Sequence, residues 1–254
     1  MRPTALQLWF AYPADMPMRD GVPTCVGMLN EDERKRLDAF RFDEHRQEFG
    51  TTRALVRTAL SAQCAVKPAD WRFVTNEWGK PEVEAPRELE FNVSNCPGLV
   101  VCLIAWGYAV GVDAESFARA AEILELREQV FSLAELAQLE ALSPAEKPQR
   151  ALALWTLKEA YTKARGIGLS IPLRKFSFLF DDADAIRLEL DTELNDASGR
   201  WQFCLLQQAG HRLAIVTEGA APAELELWEV RPAHGVPRRL GTRAVEWFPA
   251  AAAR

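Results

Sequence analysis

Residues 155–166 read WTLKEAYTKARG, and the period of this segment decides the architecture. At about 100° per residue, Leu154, Leu157, Tyr161 and Ala164 share one stripe of a helix, while Glu159 and Lys163 stand one turn apart on roughly the opposite side. Lys158, Glu159 and Lys163 therefore occupy the middle of a helix rich in Leu, Ala, Trp and Tyr, although its ends would accept charge more cheaply. A Glu-to-Lys pair at i,i+4 on a solvated face is ordinary helix design, worth about a few tenths of a kcal/mol. The rest of the chain decides whether these charges do more.

Working outward, Gly166 closes the helix, and SPAEKP ahead of it offers Ser143 as a cap, Pro144 at the first helical position and Pro148 as a restart. Strand-like KFSFLF, IRLEL, WQFCLL and HRLAIVTE follow. The first half has the same order. A strand at about 5–12 precedes a short helix that Asn30 can cap, with Glu33 three residues on. A longer helix runs over about 43–64, with Phe49, Thr52, Leu55, Val56, Ala59 and Leu60 at helical spacing. Strands are then predicted at 71–75, 89–93, 99–106 and 108–114, the last two hinged near Gly107, before a helical connector at about 117–142. Helix, strand, then a pair ending in an apolar run thus occurs twice at a separation of about 105 residues. The fold class this implies is α+β, with two pseudo-twofold-related lobes, each a small, mainly antiparallel sheet packed on a long helix. A cleft between the lobes is the natural ligand site. The boundaries fall at 1–111 for an N-terminal lobe, 112–230 for a C-terminal lobe and 231–254 for a tail.

A chain of 254 residues, 48% hydrophobic and 26% charged, has the composition of a soluble globular protein. The net charge of −6 excludes a general nucleic-acid or anionic-membrane binder, because neutralising phosphates needs a basic footprint. Any anion site must be a local basic cluster. The five cysteines, at 25, 64, 96, 102 and 204, show no CxxC or Cys/His ligand spacing, as in a reduced intracellular protein without structural zinc. The N-terminal apolar run is too short for a membrane span and has no small-residue cleavage site, so the cytoplasm is the default location.

Just before the second lobe stands GVDAES, residues 111–116. In a strand Asp113 and Glu115 share one face, and two adjacent carboxylates repel unless a cation sits between them. A lone DxE is best read as a polar strand end facing water. Here Glu159 supplies a third carboxylate, and Asp113, Glu115 and Glu159 together make a hard oxygen site suited to Mg²⁺, with Lys163 as a cation for phosphate.

FNVSNCPGL, GVDAE and WTLKEAYTKARGIGL, at these separations, resemble the 4′-phosphopantetheinyl transferase superfamily, specifically its two-lobe surfactin-synthetase-activating type. TNEWGKP at 75–81 is similar to the T-x-x-x-GKP stretch of that family, and the resemblance covers roughly residues 30–220. It implies a cytosolic, monomeric enzyme that moves the phosphopantetheine arm of coenzyme A onto a serine of an acyl or peptidyl carrier protein. Asp113, Glu115 and Glu159 match the family's metal ligands, Glu159 also the group that activates the serine, and Lys163 the lysine that meets the pyrophosphate. The chemistry agrees with these residue types: a serine attacking phosphorus needs a base and positive charge at the phosphates, and no nucleophile motif is present. The histidines, 45, 211 and 234, lie outside the motifs.

For the phosphates of coenzyme A the first lobe offers ERKR at 33–36, Arg41, Arg46 and Arg53, with Lys80 in WGKP. Arg46 and Arg53, seven apart, share a helix face. By resemblance, Arg41, Arg46 and Lys80 contact phosphate and adenine; a solvated basic helix face explains any one of them equally well. The family's FNxSH reads FNVSN here. Ser94 keeps its hydroxyl, but Asn95 replaces a histidine and cannot add positive charge. Two other readings stay open: a degenerate relative that binds coenzyme A or a carrier protein without transfer, favoured by Asn95, and a Mg²⁺-dependent phosphohydrolase, which leaves WGKP and the KEA helix unexplained.

Overall fold

The computed structural model describes residues 5–181, 185–219, 222, 224–231 and 237–249. The chain forms two compact units: Met1–Val74, Pro81–Gly107 and Glu224–Ala244 make the first, and Thr75–Lys80, Tyr108–Ala223 and Val245–Arg254 the second.

In the first unit, every residue of strand Leu6–Ala11 is buried, as befits a mostly apolar central strand, and its one polar residue, Gln7, bonds to Glu226, Trp9 and Gln63. It pairs antiparallel with Leu99–Trp106 and parallel with Glu224–Glu229. Leu89–Cys96 and Arg238–Ala244 complete a five-stranded sheet at its two edges. Trp9 stacks on Trp228 at 4.9 Å between ring centroids. The helix Asp43–Ser61 buries Leu55, Val56, Ala59 and Leu60 in one stripe over the apolar strand Leu99–Trp106, while Ala54 packs with Met16, Cys25, Leu29 and Leu37. Asn30 and Glu33 form the expected reciprocal cap of helix Glu31–Asp38, at 2.9 and 3.1 Å. Glu33 then also receives Arg57, whose guanidinium is fully buried and donates to the carbonyls of Pro68 and Trp71.

The second unit has the same plan. Its sheet runs Phe248–Pro249, Trp201–Gln208, His211–Glu218, Val110–Ser116, all antiparallel, and helix Lys147–Arg165 lies on the last two strands. A hairpin, Phe176–Phe180 with Ile186–Leu190, extends the same core. Leu154, Leu157, Tyr161 and Ala164 are all buried, as their stripe demands. Gly166 ends the helix in the left-handed conformation at φ 68°, which a side chain would strain.

The α+β reading holds, and the two larger sheets are antiparallel among the described residues except for the parallel pair Leu6–Ala11 with Glu224–Glu229. Three details differ from the sequence reading. Residues 224–230, placed in the second lobe, and part of the 231–254 tail belong to the sheet of the first unit; parallel pairing with a strand more than two hundred residues earlier leaves no local trace. Ser143 and Pro144 head a turn closed by Glu146 on Ser143, and the helix proper starts at Lys147 with Pro148 in its first turn. The connector is broken into Ala120–Glu125, Arg127–Val130 and Leu133–Ala141, because Leu126 leaves helical geometry at ψ 0° and Phe131 is extended at ψ 148°. His234, the end of the tail and part of GAAPAE lie outside the described residues. No helix among the described residues is long and apolar enough to cross a membrane.

Candidate active site

Strand Val110–Ser116 is buried through Glu115 and ends at the surface. Its alternation sends Asp113 and Glu115 to one face and Val112 and Ala114 to the other. Gly111 is what lets helix Lys147–Arg165 approach: a Cβ there would lie 2.0 Å from the Ala160 carbonyl oxygen and 2.5 Å from the Ala164 nitrogen. The glycine of the motif thus sets the depth at which Glu159 and Lys163 sit beside the strand.

Lys163 Nζ donates to Asp113 Oδ1 at 2.7 Å and to the Val112 carbonyl at 3.3 Å. Glu115 is held differently. Arg119 Nη1 donates to both of its oxygens, at 2.7 and 2.8 Å, and the Trp155 indole donates to Oε1 at 3.0 Å. Glu159 stands one turn from both Trp155 and Lys163 and is half-buried. Burial pushes its carboxyl above the usual carboxylate range; the negative charge of Asp113 adds to this, Lys163 opposes it and Glu115 adds a smaller increment. A buried carboxylate flanked by two others is a base short of positive charge.

That shortage is the observation against which a metal can be tested. Three hard oxygen donors with more negative than positive charge around Glu159 fit Mg²⁺ chemically. Among the described residues, however, no three His, Cys, Asp or Glu side chains stand ready-grouped around one point. Lys163 and Arg119 hold two of the three carboxylates instead.

Lys158, singled out only as a charge, has a separate role. Its ammonium and the carboxylate of Glu135 are both fully buried and 2.9 Å apart. It also donates to the Leu173 and Phe176 carbonyls and lies 4.2 Å from the Phe176 ring centroid. Burial drives Lys158 down and Glu135 up, each partly offset by its partner. Ser132 and Glu135 form a capping box at the head of helix Leu133–Ala141, and Glu135 also reaches Lys158 and the Phe178 amide, neither of which the sequence reading anticipated.

TNEWGKP packs at the other end of the helix. Asn76 Oδ1 accepts from the Trp78 and Lys80 amides and its Nδ2 donates to the Gly166 carbonyl at 2.8 Å. Gly79 takes φ 86°. Lys80 lies over Gly166, where an added Cβ would meet its Cδ at 3.1 Å. Lys80 is therefore at the C-terminal end of the helix that carries Lys163.

In the first unit, Arg53 and Asn95 line one cavity of about 450 Å³, together with Arg36, His45, Glu48 and Phe49. Ser94, on the opposite face of strand Leu89–Cys96, is buried. Arg36 and Arg53 both lie over the Phe49 ring, at 5.3 and 5.2 Å. Burial lowers the pKa of Arg53, Glu33 opposes this, and the like charges of Arg36 and Arg57 lower it further. Glu33 lies 3.7 Å from Arg53, and a further anion there would oppose the repulsion of Arg36 and Arg57. Arg46 is turned to Asp43 at 2.6 Å, and Arg41 stacks on the exposed Phe42. Arg46 and Arg53 sit seven apart on helix Asp43–Ser61, but only Arg53 lines this cavity; Arg36 of the ERKR run is there, and so is His45, which the sequence reading did not pick out.

The family model for the 4′-phosphopantetheinyl transferase superfamily matches residues 109–216, which contain Asp113, Glu115, Glu159 and Lys163. A 4′-phosphopantetheinyl transferase of Bacillus subtilis is 31% identical over 167 residues, 65% of this chain and 72% of that protein. The 4′-phosphopantetheinyl transferase HetI of Nostoc sp. is 30% identical over 168 residues, 65% of this chain and 70% of its own. A holo-(acyl-carrier-protein) synthase of Bacillus anthracis, solved in complex with CoA (3′,5′-ADP), matches 44% of this chain and 96% of its own, at 18% identity and TM-score 0.38. The chain belongs to the 4′-phosphopantetheinyl transferase superfamily.

Proposed function

We propose that this protein transfers the 4′-phosphopantetheine arm of coenzyme A to a serine of an acyl or peptidyl carrier protein, with Mg²⁺, as a cytoplasmic monomer. The observation that carries the reading is Glu159: a half-buried carboxylate with raised proton affinity, one turn from Lys163 and close enough to Asp113 to feel its charge, inside the segment the family model matches. A serine hydroxyl attacking phosphorus must lose its proton, and a carboxylate pushed up towards neutrality is a suitable acceptor. The serine oxygen forms the new bond to the phosphorus that carries the arm. The bond from that phosphorus to the bridging oxygen breaks, and adenosine 3′,5′-bisphosphate leaves with the electron pair. Lys163, half-exposed and reaching Asp113 by one ammonium, can turn its charge towards the leaving phosphate. Asp113, Glu115 and Glu159 are oxygen donors that would hold Mg²⁺, which when bound supplies charge neutralisation and orientation of the pyrophosphate.

Arg36, Arg53, His45 and Asn95 make a cavity whose charge and aromatic lining fit a phosphorylated nucleotide end, Arg53 gaining most from an anion. Arg41 and Arg46 are less favoured for this than the sequence implied, whereas Lys80, beside the helix that bears Lys163, remains a candidate for phosphate contact.

The test is intact-mass measurement of an apo carrier protein incubated with the full chain, coenzyme A and Mg²⁺. A stoichiometric gain of one phosphopantetheine arm is expected. Coenzyme A bound without any gain would select the degenerate relative, and phosphate released without a carrier would select a hydrolase.

A further inference from the structure

The second unit holds a cavity of about 490 Å³ that the transfer reading leaves unused. Glu146 and Arg150, at the start of helix Lys147–Arg165, line one side of it and Arg212 another, and none of Asp113, Glu115, Glu159 and Lys163 reaches it. Alternation along strand His211–Glu218 brings Arg212 to the face that otherwise carries Ala214 and Val216, both wholly buried in the core. An arginine on such a face needs a partner. Among the described residues its Nε is buried without one, and the guanidinium lies over the Phe117 ring at 5.5 Å. Burial lowers its pKa, whereas Arg119 and Arg200 of the same unit are raised by hydrogen bonds to Glu122 and Glu218. Arg150 lies over the Phe180 ring at 3.8 Å, and its charge acts on Glu146, which Ser143 also holds. Two arginines against one glutamate leave the lining one positive charge in excess.

We infer that this cavity binds a monoanion on an apolar chain, a medium-chain fatty carboxylate, with its head group on Arg212 and its chain along Leu142, Phe180, Ile186 and Leu205. The volume falls within the range of small-molecule sites, about 300–1,000 Å³. A carboxylate offers two oxygens to a guanidinium, and its single charge matches the excess in the lining; a phosphate monoester carries about −1.5 to −2 and would leave charge unmatched. The unpartnered Nε donor of Arg212 would gain a charged acceptor. Leu142, Phe180 and Leu205 are only partly buried against the core, so a chain laid over them removes further apolar surface from water. The inference asks nothing of Glu159 or of a metal, and stands apart from the transfer reading.

The probe is octanoate, titrated calorimetrically into the full chain at neutral pH without metal or coenzyme A. One-to-one binding with a dissociation constant below about 1 mM is expected. Arg212→Gln should weaken it at least about tenfold, because the charged hydrogen bonds to the head group go. Arg53→Gln, in the cavity of the first unit, should leave it within about twofold, since sites without shared partners act independently. Two comparisons on the wild-type chain need no variant to fold: octanol, which lacks the charge, should bind at least about tenfold more weakly, and butyrate, four methylenes shorter, at least about thirtyfold. Absence of octanoate binding up to about 1 mM, an unchanged constant in Arg212→Gln, or octanol binding as tightly as octanoate would each overturn the inference. Loss of binding in Arg53→Gln instead would place the acid in the other cavity and overturn it too. Octyl phosphate bound more tightly than octanoate would make the ligand a phosphate ester and overturn the carboxylate assignment.

Discussion

Two ion pairs hang from one helix, and they are built for opposite purposes. Lys158 and Glu135 are both fully buried and 2.9 Å apart, and their charged groups also meet backbone: the Leu173 and Phe176 carbonyls for the lysine, the Ser132 and Phe178 amides for the glutamate. Lys163 and Asp113, one turn further on, are as close at 2.7 Å but leave the lysine partly in solvent and Glu159 without matching positive charge. The first pair is closed and its chemistry is structural. The second is open, and its unbalanced charge is what a cation or a phosphate can use.

The largest effect that would sharpen this contrast is on the closed pair. Lys158→Met should destabilise the protein by about 3–5 kcal/mol, because it leaves the Glu135 carboxylate buried without its partner. Adding Glu135→Leu should restore much of the loss, since two apolar groups avoid the desolvation cost altogether. Urea midpoints of the single and double variants decide this, and a single variant within about 0.5 kcal/mol of wild type would break the comparison.

Next in size is Gly111→Ala. The added methyl meets backbone atoms of the helix at 2.0 and 2.5 Å, so the helix has to shift. A loss of about 1–3 kcal/mol is expected from such overpacking. It should come with loss of transfer out of proportion to the fraction unfolded, because Glu159 and Lys163 move with the helix. A variant of full stability and activity would show that the glycine has no spacing role.

The open pair predicts a smaller effect of the opposite sign. Glu159 binds its proton more tightly in the folded chain, so above that raised pKa the folded state carries a carboxylate it disfavours, and below the unfolded-state value the cost vanishes. In metal-free buffer, Glu159→Gln should therefore melt higher than wild type at pH 8, with the gap closing towards pH 4. An equal or lower melting temperature at pH 8 would mean that Glu159 is an ordinary surface residue.

The smallest effect concerns the thiols. Burial pushes Cys25 up to about 12, and Cys102, wholly buried, is raised as well, so neither forms thiolate at neutral pH. Half-buried Cys64 should react first with an aromatic disulfide reagent in the native protein. Equal rates for Cys64 and Cys25, followed by peptide mass, would contradict the packing of the first unit.

Periodicity made the members of the open pair legible, though not that Lys163 meets Asp113. Glu159 and Lys163 fell on the side of the helix opposite Leu157 and Tyr161, and alternation put Asp113 and Glu115 together, because those relations are local. The closed pair was not legible: a capping-box glutamate and a mid-helix lysine carry no sequence mark that they meet. Arg119 lies four residues from Glu115, but across a strand end and a tight turn rather than along one helix, so no spacing rule announced their contact. Arg36 and His45 reach the Asn95 cavity from two helices, and Glu224–Glu229 joins Leu6–Ala11 by parallel pairing, both consequences of tertiary packing alone.

The central claim is that Glu159 is the reacting carboxylate of a phosphopantetheine transfer. Its most direct test is the time course of carrier mass with coenzyme A and Mg²⁺ for wild type and Glu159→Gln side by side, with coenzyme A binding measured on both. The account predicts complete conversion by wild type, and in Glu159→Gln a rate lower by about 10²–10⁴-fold with coenzyme A still bound, since only charge and basicity are removed. A Glu159→Gln enzyme that converts the carrier at a near-wild-type rate would contradict it.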